Sequence, residues 1–396
     1  MSYQFRRIEK AIEEDLKSKM VFISGPRQCG KTTISENFIK PNGAYYNWDA
    51  AKHRELIKAG KIDINKKIWI FDEIHKYKSW RNYLKGLYDL HHKEHKILVT
   101  GSAKLDYFKR GGDSLQGRYF FYRLHPFTLA EYLAKKNLNY IKAIEDLELN
   151  SSPKIQNALE KLMLLGAFPE PLLSNSERTA KRWRNLYAQR LIREDIRDLE
   201  NVSDLDKLEL LYEQLPNTVS SVLSINSLRE DLEINFKTAA NWLKILERNY
   251  AVFRLSPFGA PKIRAVKKEQ KLYMWDSGIV ADEAARLENL VALHLIRLVH
   301  WFEDYEGEKF ELRYFRDTRG HEVDFIVIKN KKPWLAIEVK KTASSLDKNL
   351  KYLLERVKIP YAFQIHLNGD DSYRVPDING SVVRIISAAQ FLVNLP

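Results

Sequence analysis

The sequence predicts an α/β chain: a parallel-sheet domain at the N-terminus, a helical middle and a second α/β domain at the C-terminus. Three observations carry this. From Met20 to about Tyr132 short apolar runs alternate with helical patterns, from Leu133 to Leu255 helical spacing prevails, and after Pro257 strand-like runs return around one long helix. Strands separated by helix-length segments need crossover connections, which makes them parallel with helices on both faces. The expected domains are 1–132, 133–256 and 257–396.

Within the first domain, Met20–Ser24, Ala44–Trp48, Ile68–Phe71 and Ile97–Thr100 read as strands, with a helix over Thr32–Phe38. In the middle, Trp183–Leu199 and Leu205–Leu215 read as helices. A helix over Ser227–Leu232, a short break, a helix over Lys237–Arg248 and a strand over Ala251–Leu255 then follow the order of a winged helix-turn-helix. In the last domain Lys271–Trp275, Leu312–Phe315, Val323–Ile328, Leu335–Val339 and Ala362–Leu367 read as strands around a helix over Glu283–Trp301.

Composition narrows the function classes. With 396 residues, 44% hydrophobic and 30% charged, the chain is neither collagen-like nor disordered, and each domain has enough residues for a core. The single cysteine, Cys29, cannot close an intrachain disulfide, and Met1–Lys19 is charged and amphipathic without the apolar core of a signal peptide. A cytoplasmic location is therefore expected. No run approaches the roughly 18 apolar residues of a membrane span, so no membrane partner is expected. Lys and Arg number 65 against 52 Asp and Glu, a net charge of +13. That balance favours a polyanionic partner, nucleic acid first, although solvated lysine faces give the same sum.

The sharpest motif is Gly25-Pro26-Arg27-Gln28-Cys29-Gly30-Lys31-Thr32, which matches G-x-x-x-x-G-K-[ST] between a strand and a helix. Such a loop closes backbone N–H groups around phosphate oxygens, its lysine reaches the β- and γ-phosphates, and its hydroxyl ligates Mg²⁺. Downstream, Ile68-Trp69-Ile70-Phe71-Asp72-Glu73 is an apolar strand ending in two carboxylates. Asp72 is expected in the magnesium shell with Thr32, and Glu73 is expected to orient or polarise the attacking water. Ser102, after the strand Ile97–Thr100, is the candidate γ-phosphate sensor. Arg118 is the candidate arginine finger, acting in cis or from a neighbouring subunit of a homo-oligomer.

Gly25 to Thr33, Phe71-Asp72-Glu73-Ile74-His75, Thr100-Gly101-Ser102 and Leu115 to Arg118, followed by His125-Pro126-Phe127 and Glu131-Tyr132, resemble the prokaryotic AAA-like P-loop ATPases that carry a C-terminal domain. The resemblance continues through Arg193-Glu194-Asp195-Ile196, Lys271-Leu272-Tyr273, Asp276-Ser277-Gly278 and Glu288-Asn289-Leu290-Val291, so it spans nearly the whole chain. It implies ATP binding and hydrolysis by a P-loop NTPase domain, a winged-helix-like middle and a restriction-endonuclease-like end. It also extends the nucleotide-binding stretch to Thr33.

Two further constellations bear on function. If the middle region reads DNA, its second helix presents Lys237, Thr238, Asn241 and Lys244 to the groove or the phosphates, whereas a packing module is the competing reading. In His321-Glu322-Val323-Asp324 and Ile337-Glu338-Val339-Lys340, the period of two puts Glu338 and Lys340 on one face of a strand, with Asp324 on a neighbouring run. This is similar to the PD-(D/E)xK nuclease pattern: Asp324, Glu338 and Lys340 take the catalytic positions, Asp324 and Glu338 hold Mg²⁺, and Glu288 completes the acidic cluster. A buried ion-pair network, or a folded but silent nuclease-like domain, accounts for the same residues. His91, His92 and His95 lack a completing ligand set and read as a solvated turn.

The expected activity is Mg²⁺-dependent ATP hydrolysis coupled to a nucleic-acid-binding, nuclease-like C-terminal region. The competing expectation is a nucleotide-dependent switch whose C-terminal domain only binds a partner.

Overall fold

The structure is a computed structural model that describes residues 4–40, 42–101, 105, 115–135, 139–147, 152–197, 202, 204–259, 269–342, 345–368 and 372–396. The chain forms two compact units, Met1–Pro126 with Arg248–Tyr250, and Phe127–Glu247 with Ala251–Pro396.

In the first unit the order is α1 (Ile8–Asp15), β1 (Met20–Ser24), α2 (Lys31–Ile39), β2 (Gly43–Asn47), α3 (Ala51–Lys58), β3 (Ile68–Asp72), α4 (Trp80–His91), β4 (Lys96–Thr100) and β5 (Tyr119–Arg123). The five strands form one parallel sheet in the order β2-β3-β4-β1-β5. Every residue of β1 is buried, which is why it reads as a continuous apolar run rather than an alternating one. Phe22, Trp69, Phe71, Trp80, Ile97 and Val99 form the core. The decisive feature of the order is β4, which separates the strand feeding the glycine-rich loop from the strand ending in Asp72.

His95 departs from the expected solvated turn. It is buried, its ring stacks on Trp69 at 4.2 Å between centroids, and its Nδ1 lies 3.0 Å from the Lys66 carbonyl oxygen. A flat ring with one polar edge covers the indole while meeting a backbone group, which a longer polar chain would not do.

The second unit begins with α5 (Leu129–Tyr132), α6 (Tyr140–Glu145), α7 (Pro153–Leu165), α8 (Pro169–Ser174) and α9 (Glu177–Arg190), which runs into a π-helical turn, Leu191–Ile196. Next come α10 (Leu205–Gln214), α11 (Ile225–Asp231), α12 (Phe236–Arg248), β6 (Val252–Leu255), β7 (Lys271–Met274) and α13 (Glu283–Trp301). The chain finishes with β8 (Phe310–Arg316), β9 (Glu322–Lys329), β10 (Lys332–Thr342), α14 (Lys348–Arg356), β11 (Tyr361–Asn368), β12 (Tyr373–Ile378), β13 (Ser381–Ser387) and α15 (Ala388–Leu392). The mixed sheet has the order β12-β13-β11-β10-β9-β8, with β11 parallel to both β10 and β13 and the other pairs antiparallel.

Strand β6 pairs antiparallel with β7, Val252 opposite Met274. This hairpin bridges the boundary expected at 256, and the helical middle shares one compact unit with the C-terminal sheet.

Helix α13 keeps the bounds its pattern predicts. Asp282 caps it, accepting the Ala285 N–H at 2.8 Å, and its buried face runs nearly all the way round from Leu287 to Val299. Among the described residues no helix is long and apolar enough to cross a membrane.

Candidate functional site

The glycine-rich loop leaves β1 at Ser24 and enters α2 at Lys31. Gly25 has φ +147°, and a Cβ there would collide with the Leu124 carbonyl oxygen, so no other residue fits. Gln28 at φ +61° and Gly30 at φ +101° are left-handed, the alternation that folds successive amides into an anion-binding concavity. Lys31 is buried, and its Nζ donates to the carbonyl oxygens of Gly25 at 2.9 Å and Pro26 at 2.6 Å. The ammonium is thereby held over the mouth of the loop. Pro26 and Cys29 are buried, Arg27 and Gln28 half-buried, and Thr32 and Thr33 exposed on the first turn of α2.

A residue the sequence did not single out braces this loop. Arg6, buried just before α1, donates from Nη1 to the Cys29 carbonyl at 2.9 Å and from Nη2 to the His125 carbonyl at 2.5 Å. Glu9 holds the brace, accepting the Arg6 N–H at 2.6 Å and the Asn37 amide at 2.9 Å.

Asp72 ends β3 and is buried. Three hydroxyls donate to its carboxylate: Thr100 at 2.7 Å, Tyr45 at 2.5 Å and Thr32 at 3.4 Å. Burial, followed by the bond to Asp72, pushes the Tyr45 phenol above its ordinary range, so it remains a donor. Glu73 turns away from the strand at φ +57° and donates its N–H to the Thr100 carbonyl at 2.9 Å. Its carboxylate lies 3.5 Å from both Lys76 Nζ and His75 Nε2. Burial pushes the Glu73 carboxyl up and the charge of Asp72 adds to this, against the opposing pull of Lys76. A raised carboxyl is the stronger base.

These residues fit a nucleoside triphosphate with a divalent cation. Thr32 and Asp72 share one side-chain contact, the chemistry of a Mg²⁺ shell, and Lys31 and the loop concavity supply the phosphate cradle. Ser102 lies outside the described residues. Thr100, which ends β4 just before Gly101, is one of the three hydroxyls that meet Asp72; a threonine closing an apolar strand was the available signal.

Arg118 is not brought to the loop of its own chain. Its carbonyl accepts the N–H of Met20, the first residue of β1, whereas the loop leaves the other end of that five-residue strand. The strand length separates them by about 16 Å. The Arg118 guanidinium instead donates to Asp89 at 2.8 Å.

The second constellation lies in the second unit. Asp324 on β9, Glu338 and Lys340 on β10 and Glu288 on α13 do converge, but around an ammonium the sequence had not assigned. Lys271 Nζ lies 2.7 Å from Glu322 and 3.2 Å from both Glu288 and Asp324. The second oxygen of Asp324 accepts the Val339 N–H at 2.9 Å, and Tyr273 donates to Glu288 at 2.8 Å. Glu338 accepts Lys340 Nζ at 2.7 Å on one oxygen and the Asp324 N–H at 3.3 Å on the other, while Lys340 also pairs with Asp347 at 2.9 Å. Burial, and then the charge of Asp324, pushes both Glu288 and Glu338 up. As arranged, the expected ligands Glu288, Asp324 and Glu338 do not fit a divalent cation, because Lys271, Lys340 and two backbone amides already occupy carboxylate oxygens that a metal would use. Among the described residues no group of three or more His, Cys, Asp or Glu is disposed to hold a metal ion.

A cavity of about 510 Å³ opens beside this cluster, with Ser220, Asp282, Glu288, Lys340 and Lys341 in its wall. On α12, Lys237, Asn241 and Lys244 are exposed on one face and Thr238 is half-buried, while Trp242, Leu243 and Leu246 pack inward.

Residues 17–133 match the family described as an AAA domain. Residues 156–317 and 284–389 match two domains of unknown function, DUF8612 and DUF4143. An uncharacterized protein of Methanocaldococcus jannaschii is 28% identical, covering 89% of this chain and 81% of its own. An uncharacterized protein of Mycobacterium tuberculosis is 21% identical over 88% of this chain and 76% of its own. Among solved structures, a signal-transduction ATPase with a tetratricopeptide repeat sensor from Pyrococcus horikoshii aligns at a TM-score of 0.30 and 16% identity, over 77% of this chain. This chain spans 48% of that protein, about half its length. The match over residues 17–133, together with the loop and Asp72 geometry, makes the N-terminal part of this chain an AAA-like P-loop ATPase domain.

Proposed function

We propose that the chain hydrolyses ATP with Mg²⁺ at the first unit and uses that cycle to govern a nucleic-acid-binding second unit. The carrying observation is the convergence of Thr32, Tyr45 and Thr100 on Asp72 beside a lysine-capped phosphate loop. Lys31 and the Gly25–Gly30 amides hold the phosphates, Thr32 and Asp72 hold Mg²⁺, and Glu73 takes a proton from the attacking water or orients it. When bound, Mg²⁺ supplies charge neutralisation at the phosphate oxygens. Glu73→Gln should retain ATP binding and lose about 100-fold or more in kcat. Lys31→Ala should lose binding as well. Hydrolysis at the wild-type rate in both variants would overturn the reading.

Support for the nucleic-acid part comes from the succession α10, α11, α12 and the β6–β7 hairpin, the order of a winged helix, with the basic face of α12 exposed. DNA is the first substrate to test and RNA the second. For the C-terminal cluster, the Lys271 contacts favour the reading of a module that binds a partner without cutting. Cleavage of labelled DNA or RNA in Mg²⁺ or Mn²⁺ by wild type, lost in Glu338→Ala and Lys340→Ala, would instead establish a nuclease.

A further inference from the structure

We propose that the Lys271 ammonium is the resident cation of the Glu288–Glu322–Asp324 cluster, and that this centre takes up a divalent ion only when Lys271 is removed. The inference is independent of the nucleotide site.

Lys271 sits on β7 with 1% of its surface exposed, and its side chain enters the cluster between β9 and α13. Three carboxylates from these two elements approach the one nitrogen within 3.2 Å. An ammonium has three donors, and three acidic groups meet it here. A Mg²⁺ ion would need the same oxygens at about 2.0–2.1 Å. It would then face a positive charge in a buried setting where water screens little. Burial opposes the charge on Lys271, yet Asp324, Glu288 and Glu322 outweigh it and push the ammonium above its ordinary range, so it does not leave by losing a proton.

The other oxygens of Glu322 and Asp324, and both oxygens of Glu338, are committed as well. Glu322 accepts Arg316 at 3.2 Å, Asp324 accepts the Val339 amide, and Glu338 accepts Lys340 and the Asp324 amide. Access does not explain the exclusion, because the 510 Å³ cavity reaches Glu288 and Lys340. The lysine does.

The test uses the full chain carrying Asp72→Asn, which removes the nucleotide-site cation, in the absence of nucleotide. Mn²⁺ binding is followed by electron paramagnetic resonance and by the shift of the thermal midpoint. The expected result is no Mn²⁺-dependent shift in this parent. Adding Lys271→Met should lower the midpoint, create one Mn²⁺ site per chain, and make the midpoint rise with Mn²⁺; a further Asp324→Asn should abolish both effects. Mn²⁺ binding by the parent that is lost with Asp324→Asn would overturn the proposal. So would a folded Lys271→Met chain that gains no site. Should Lys271→Met fold only in the presence of Mn²⁺, the proposal is supported in its strongest form. Should it fail to fold with or without the ion, Lys271→Gln with Glu322→Gln, which removes one charge of each sign, takes its place under the same criteria.

Discussion

Thr100 donates its hydroxyl to Asp72 at 2.7 Å, directly across the β3–β4 pair in which the two residues are in register. The bond fixes one carboxylate oxygen and leaves the other to Tyr45 and Thr32. A hydrogen bond to a charged group contributes about 1.5–3 kcal/mol. Thr100→Val keeps the shape and removes the donor. Steady-state kinetics should show kcat/KM for Mg²⁺-ATP falling about tenfold or more, and the thermal midpoint should fall as well, because the buried Asp72 carboxylate loses a donor.

Gly25→Ala tests the loop geometry. The new Cβ meets the Leu124 carbonyl at a backbone φ of +147°, so loop and neighbouring segment must part. Strain of this kind costs about 1–3 kcal/mol. Nucleotide binding, measured with a fluorescent ATP analogue, should be lost while far-ultraviolet circular dichroism is retained.

Arg118→Ala should leave the ATPase rate of the isolated monomer unchanged, since the residue sits by the N-terminal end of β1 and its side chain pairs with Asp89 of α4. If copies of the chain assemble with Arg118 in a neighbour's site, the loss will appear only at concentrations that support the oligomer. Rate against protein concentration distinguishes the two.

His294 gives the second unit a pH dependence. Its Nε2 accepts the Leu129 N–H at 3.0 Å and its Nδ1 donates to the Leu290 carbonyl at 2.8 Å, an arrangement open only to the neutral ring. Burial pushes it down to about 4. Below the unfolded value of about 6.5 the unfolded chain takes up a proton that the folded chain refuses. Stability is therefore full above pH 6.5 and falls as the pH drops toward 4, by about 3 kcal/mol from this residue. The midpoint of His294→Gln, lower at neutral pH, should change less between pH 7.5 and 5 than that of the wild type.

Lys237→Glu with Lys244→Glu should weaken duplex binding uniformly across sequences. The slope of log affinity against log salt should fall by about 2 if both lysines meet phosphates. An unchanged slope would reduce α12 to a packing helix.

Much of the nucleotide site was legible because its determinants are local. Gly25 to Thr32 specify their own turn, and Asp72 ends an apolar run too short and too continuous for anything but a buried strand. Tyr45, Thr100 and Arg6 reach the site only through strand order and long-range packing, for which no spacing rule exists. Ser102, the expected γ-phosphate sensor, lies outside the described residues, while the neighbouring Thr100 is one of three hydroxyls on Asp72. Strand β5, an aromatic run of good strand formers from Tyr119 to Tyr122, was not among the strands expected from the sequence. In the second unit alternation put Glu338 and Lys340 on one face, and the resemblance to the PD-(D/E)xK pattern joined Asp324 to them. The same rule could not say that Lys271, more than fifty residues from Asp324, would occupy the centre between the carboxylates.

The brace of Arg6 against the Cys29 and His125 carbonyls, with Gly25 lodged beneath Leu124, has a consequence for biosynthesis. A ribosome exposes the whole glycine-rich motif long before residues 119–125 emerge. Until that segment docks beside β1, the motif lacks both the wall that shapes it and one anchor of the arginine that grips it. Nucleotide affinity therefore reports that the last strand of the sheet has closed, and a nascent or truncated chain ending before Tyr119 should carry every residue of the motif without competing for the cellular nucleotide pool.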